Sequence, residues 1–204
     1  MSLLSVAIIG GGCSGKSTIC DWLVTKQPIP GLVLIEEAAT MLLESGYPPR
    51  PDDPALWPGW TTHFQRAVLN LQIALEDWTH ELHSGRAVIA ITDRAIPDSG
   101  VFHPEGLAGV SALTGFTPVT MYARYDLAIH LESLATANPE KYGQGNNEHR
   151  MEDLEEAVER ELITREVWKD HPNRLFIAGD GLDNKYCRTV QALQELIRST
   201  TPDR

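Results

Sequence analysis

The sequence predicts an α/β fold built on a parallel sheet covered on both faces. Two observations carry that prediction. Five short apolar runs recur between helical patterns, and each is near-continuous rather than alternating, as strands buried on both faces are. The stretch GGGCSGKST, residues 10–18, follows the first run directly and opens a helix, giving the order strand, glycine turn, helix. The 204 residues suffice for one domain with a full core, expected over 1–204.

The strands are read at residues 3–9, 32–37, 87–93, 126–133 and 174–180. Helical segments between them supply the crossovers that parallel neighbours require. The strongest helix pattern runs from Trp60 to His83, with Trp60, Phe64, Ala67, Val68, Leu71, Leu75, Trp78 and Leu82 on one apolar stripe. That stripe is expected to face the core. A second stripe, Gln65, Gln72, Glu76, Thr79 and His83, is expected to be a solvated flank, with the edge of a cleft as the alternative. Another helix is expected over Glu152 to Asp170, with Glu156–Arg160 and Glu161–Arg165 as i,i+4 pairs. The Pro-rich segment 46–60 is expected to be a loop, with Trp57 and Trp60 as its anchors or as stacking surfaces.

Composition narrows the function classes. Apolar residues at 42% and charged residues at 22% are those of a folded globular chain. A net charge of -11 argues against binding a nucleic acid polymer, which needs a basic face. Arg outnumbers Lys 12 to 5, which suits phosphate clamping by planar forks. Three cysteines without a CxxC pair argue against a disulfide framework and a zinc site, so Cys13 and Cys20 read as packing residues. The first apolar run lacks a basic flank and is too short for a membrane span, so no membrane partner and a cytoplasmic location are expected.

Gly10, Gly15, Lys16 and Ser17 match G-x-x-x-x-G-K-[ST]. Glycines let backbone N–H groups turn inward around an anion, and the helix that starts there adds its free N–H groups and dipole. Lys16 would reach the β and γ oxygens of a triphosphate, and Ser17 would ligate Mg²⁺. Asp93, at the end of an apolar strand, is the expected partner of the metal's water shell, and Arg94 follows it. Glu36 and Glu37 end the second strand, where one carboxylate of an extended pair faces the crevice at the carboxyl edge of the sheet. Such a carboxylate can orient an attacking hydroxyl.

With these pieces in place, the chain resembles the AAA-like P-loop proteins that include the nicotinamide riboside kinase domain, and more distantly the nucleoside and thymidylate kinases. GGGCSGKST, LIEEAAT, TDRAIPDSG, RYDLAIHLE and EHRMEDLEEA carry the resemblance. It implies a three-layer P-loop NTPase sandwich, a five-stranded parallel sheet of order 2-3-1-4-5, and a helical lid over residues 134–152. It implies that Gly10, Gly11, Gly12, Cys13, Ser14, Gly15, Lys16, Ser17 and Thr18 hold ATP, with Ser17 and Asp93 at Mg²⁺. Glu37 would contact the acceptor, Asp93 and Arg94 would serve metal and phosphate, and Arg150 would reach the transferring phosphoryl from the lid. Gln72 and Glu76 lie where some relatives read the acceptor.

There are departures from the pattern. The lid has one convincing arginine, and DNKYC carries Cys187 where a guanine-reading motif needs Asp. The expected activity is transfer of the γ-phosphoryl of MgATP to a small-molecule acceptor, a nucleoside-like hydroxyl ahead of a nucleoside monophosphate. Lys16, Arg94 and Arg150 would neutralise charge, and either Glu37 or Asp93 would handle the hydroxyl proton. The alternative is an NTPase acting as a nucleotide-dependent regulator with a protein partner. Oligomeric state is not legible at this level.

Overall fold

Parallel strands β1 (Leu4–Ile9), β2 (Leu32–Ile35), β3 (Ile89–Asp93), β4 (Leu127–Leu131) and β5 (Arg174–Ile177) form one sheet of order β2-β3-β1-β4-β5. The computed structural model describes residues 3–86, 88–143, 153–179 and 181–200. The order 2-3-1-4-5 implied by the resemblance is therefore present, although each strand is shorter than its apolar run. Helices α1 (Lys16–Lys26), α2 (Ala38–Glu44), α3 (Trp57–His83), α4 (Ser99–Phe102), α5 (Gly106–Thr114), α6 (Pro118–Tyr122), α7 (Leu134–Ala137), α8 (Leu154–Val167) and α9 (Leu182–Thr200) surround it. No helix among the described residues is long and apolar enough to cross a membrane.

Side chains alternate between the two faces of each strand. Val6, Ile8, Ile91 and Ile129 pack with Ile19, Cys20 and Leu23 of α1 and Leu193 of α9. Ala7, Ile9 and Ala128 face the other way, onto Tyr122, Tyr125, Val167 and Trp168. Each fully buried isoleucine stabilises the fold by about 1.5–3 kcal/mol relative to exposure. The registers Ile8↔Asp93 and Ile9↔His130 bring the strand ends level, so the loops that leave them share one edge.

Two expectations about α3 are corrected. The helix starts at Trp57, because Pro58 is tolerated in a first turn where its missing N–H has no partner to lose. A 3-10 turn over Pro54–Leu56 leads into it, capped by Asp53 Oδ1 accepting from Ala55 N at 2.9 Å. The second correction concerns its faces. The buried residues are Phe64, Gln65, Leu69, Gln72 and Glu76, whereas Trp78 and Leu82 are exposed. Gln65 and Gln72 point inward onto a cavity, and Glu76 is buried against Tyr125 and Arg124.

α8 begins two residues later than predicted and carries a capping box. Asp153 Oδ1 accepts from Glu156 N at 2.9 Å, and Glu156 Oε2 accepts from Asp153 N at 3.3 Å. The expected Glu161–Arg165 pair is present at 3.1 Å. Of the expected lid, residues 144–152 lie outside the described residues, and so does Arg150.

Candidate functional site

The cradle is made by the turn between β1 and α1. Gly10 has φ +143, and a Cβ there would sit 2.2 Å from the carbonyl oxygen of Leu131. Gly15 has φ +89 and would drive a Cβ to 2.5 Å from Leu182 Cδ2. Neither position accepts a side chain without displacing a neighbour. Gly15 is the N-cap of α1 and offers no capping side chain, so the first N–H groups of the helix stay open to an anion.

Lys16 is buried, and its Nζ donates to Gly10 O at 2.8 Å, Gly11 O at 3.0 Å and Ser14 Oγ at 3.3 Å. Burial, aided by the Arg94 charge, lowers its pKa against the opposing pull of Asp93 and Glu37. The ammonium thus rests on loop carbonyls beside the opening where a phosphate would enter. Glu161 on α8 holds the same loop from behind. Its Oε2 accepts from Gly11 N at 3.0 Å, and its Oε1 takes bonds from His130 Nε2 at 2.9 Å and Arg165 Nε at 3.1 Å. Arg174 meets His130 Nδ1 at 2.8 Å, so that nitrogen accepts and the Nε2–H donates. Lys185, on α9, donates to Ser14 O at 3.0 Å and Glu132 O at 2.6 Å.

Ser17 donates to Asp93 Oδ2 at 3.0 Å. Asp93 Oδ1 is buried and has no partner among the described residues. Burial raises the Asp93 pKa; Lys16 opposes it and Glu37 adds to it. A hydroxyl beside a carboxylate with a spare oxygen fits a hard cation such as Mg²⁺, which takes one or two protein oxygens and completes its shell with phosphates and water.

Glu37 and Arg94 meet across the neighbouring strands β2 and β3. Glu36 points to solvent, while Glu37, the N-cap of α2, turns into the crevice. Its Oε1 pairs with Arg94 Nε, and its Oε2 accepts from Thr40 Oγ1 at 2.7 Å. Burial alone would push the Glu37 carboxyl up, but Arg94, Thr40 and Lys16 outweigh it and hold the carboxyl below its ordinary value. Arg94 itself has φ +63, a left-handed backbone fixed by its N–H bond to Ile8 O at 3.1 Å. Asp98, four residues on, is fully buried beside this pair. It accepts from Trp168 Nε1 at 2.7 Å and from Ala95 N at 3.2 Å.

One cavity of about 1030 Å³ joins these parts. Gly12, Cys13, Ser14, Gly15, Lys16, Ser17 and Thr18 line its cradle end. Gly10 and Gly11 stand behind, facing Lys16 with their carbonyls. Glu37, Arg94 and Asp98 lie on its wall, whereas Asp93 does not. The far end is walled by Trp57, Trp60, Phe64, Gln65 and Gln72. Both tryptophans anchor the Pro-rich loop, Trp57 Nε1 donating to Pro51 O and Trp60 Nε1 to Pro48 O, and both line the cavity as well.

Gln72 is set by a buried network. Its Nε2 donates to Glu76 Oε1 at 2.8 Å, and Glu76 also takes Tyr125 OH at 2.7 Å and Arg124 Nε at 2.8 Å. Glu76 therefore orients Gln72 and does not itself line the cavity. The chain residues 5–183 match the family model of the AAA domain. The chain belongs to the AAA-domain family of P-loop NTPases. No curated protein matches it. Membership explains the cradle and the sheet order, and it assigns the chain to nucleotide binding with hydrolysis or transfer.

Four AAA-domain residues near the site escape the sequence reading. Asp98, Glu161 and Lys185 are described above. Arg160, read only as an i,i+4 partner of Glu156 just as Glu161 was of Arg165, lines the cavity. It donates to Val101 O at 2.8 Å and lies 4.9 Å from the centre of the Phe102 ring. Its one sequence signal is its place on the helix that follows the expected lid.

Proposed function

We propose that the protein transfers the γ-phosphoryl of MgATP to a hydroxyl of a small, nucleoside-like acceptor. The observation that carries this reading is the cavity. It continues past the phosphate cradle into a chamber walled by aromatic rings and buried amides. An enzyme that only hydrolyses ATP needs room for one water beside the γ-phosphate, not an aromatic-walled chamber beyond it.

Phosphoryl transfer is mostly positioning and charge neutralisation. The N–H groups around Gly12 to Ser17 would cradle the β-phosphate. Lys16 would leave the Gly10 and Gly11 carbonyls for the γ-phosphate oxygens. Ser17 and Asp93 would hold Mg²⁺, which would supply Lewis-acid charge neutralisation to the phosphates. Arg94, and Arg160 or Arg150 from the lid side, would neutralise charge on the transferring group.

The two carboxylates separate into roles. Glu37 lines the cavity and stays ionised, which suits accepting a hydrogen bond from the acceptor hydroxyl. Asp93 sits below with Ser17, which suits the metal. The aromatic wall would stack on a planar ring of the acceptor, and Gln65 and Gln72 would meet its polar edge.

The experiment is acceptor dependence. ADP release from MgATP is followed with nucleosides, pyridine ribosides and nucleoside monophosphates, one at a time. A many-fold rise with one class supports the kinase reading and names its substrate. Equal, slow release with every addition overturns it in favour of a nucleotide-dependent NTPase.

A further inference from the structure

We infer that Lys185, in the first turns of α9, is a positioning residue for nucleotide binding: it holds the Ser14–Gly15 peptide so that the Gly15 N–H faces the phosphate. Nucleotide binding, which family membership assigns, is all that this requires; no acceptor is involved. Lys185 stands two residues beyond the match to the family model, which ends at residue 183. It is 1% exposed, and an ammonium is held so deep only where its donors find partners. Nζ donates to Ser14 O at 3.0 Å and to Glu132 O at 2.6 Å. The first oxygen belongs to the glycine loop and the second follows the end of β4. One ammonium therefore ties the cradle to the sheet.

A trans peptide is planar, with its C=O and its N–H on opposite sides. A donor that takes the carbonyl on one side therefore fixes the N–H on the other. Lys185 takes Ser14 O, which turns the Gly15 N–H away from α9. Ser133 Oγ donates to Gly12 O in the same manner, which turns the Cys13 N–H away from the start of α7. Neither of these two N–H groups has a partner among the described residues. Both residues line the cradle end of the cavity. Leu182, from the same end of α9, packs on Gly15, where a Cβ would come within 2.5 Å of its Cδ2. α9 thus grips this peptide at both of its residues. N–H groups fixed in advance spare the loop a rearrangement when the phosphate arrives.

Calorimetric titration of the full chain with MgADP and with AMP, which carries no β-phosphate, tests this. Lys185→Met keeps the stem and removes the donors. It should weaken MgADP at least about tenfold, the worth of a charge-assisted hydrogen bond, and leave AMP within about twofold. Ser133→Ala removes the Gly12 contact without changing charge, and it should weaken MgADP several-fold with AMP again spared. Circular dichroism and melting curves confirm that each variant is folded. Should Lys185→Met not fold, Lys185→Gln, polar but too short to reach both carbonyls, is read in the same way. Unchanged MgADP affinity in the Lys185 variant would overturn the inference. So would an equal loss for both nucleotides, since Lys185 would then support the fold and not the cradle. A loss in the Lys185 variant with none in Ser133→Ala would also contradict it, because Lys185 would then act through its charge and not by turning a peptide.

Discussion

The Arg94 guanidinium and the Glu37 carboxylate pair across the carboxyl edge of the sheet, one strand apart. Glu37 holds the Arg94 guanidinium, and Arg94 lowers the Glu37 pKa and so favours its ionised form. A phosphorylated nucleotide and an acceptor hydroxyl would compete for the two halves of this pair. Under the proposed function, both groups would be engaged only when both substrates are present. In that account the pair guards against turnover on water.

Glu37→Gln tests that role. The variant should lose about 100-fold or more of acceptor-dependent kcat while its affinity for nucleotide changes little. Steady-state kinetics beside equilibrium nucleotide binding reads both quantities. Undiminished acceptor turnover would move the hydroxyl contact to another group, with Asp98 next on the cavity wall.

Lys16→Ala should remove at least about 100-fold of turnover and leave the fold intact. The side chain makes its hydrogen bonds to loop carbonyls and to Ser14 Oγ, and no strand or helix contact depends on them. A melting curve close to wild type, alongside the lost activity, is the expected pair of results. Retained activity would remove the loop from phosphate binding.

Glu161→Gln separates a structural tie from a catalytic one. Burial raises the Glu161 carboxyl, but bonds from His130, Gly11 and Arg165 outweigh it and bring the pKa below its ordinary value. A carboxyl lowered on folding stabilises the fold above its unfolded value, about 4.3, and the contribution fades as pH falls through the folded value. The variant should therefore be less stable by about 2 kcal/mol at pH 7, and the difference should shrink in acid. Denaturant melts at pH 7 and at about pH 3 measure it. A difference that persists unchanged in acid would show that the charge plays no part.

Arg160→Ala and Arg150→Ala, compared, show which arginine from the lid side reaches the transition state. That residue should lose about 100-fold in kcat with a smaller change in nucleotide affinity. A pure affinity loss in both would leave Arg94 and Lys16 as the neutralising groups.

The strands and their order were legible because continuous apolar runs and the glycine loop are local signals. α3 was legible as a helix but only in part in its orientation. Periodicity locates an apolar stripe, and it assigns that stripe to the core by default. Here Gln65 and Gln72 border the cavity and Glu76 meets Arg124 and Tyr125, so all three are buried; Phe64 and Leu75 of the apolar stripe pack inward as expected, while Trp78 is out. Glu37, Lys16, Ser17 and Asp93 came from motif and strand ends, and the structure places them together. Arg160, Asp98, Glu161 and Lys185 could not be read the same way. Their partners lie 59, 70, 150 and 171 residues away, so only the fold brings them to the site.

The most direct test of the central claim is ADP release from MgATP with and without each acceptor class, with Lys16→Ala as the blank. The account predicts a rate that one nucleoside-like acceptor raises many-fold over water, with a phosphorylated product formed in step with ADP. Slow release that no acceptor changes, yet that Lys16→Ala abolishes, would contradict it.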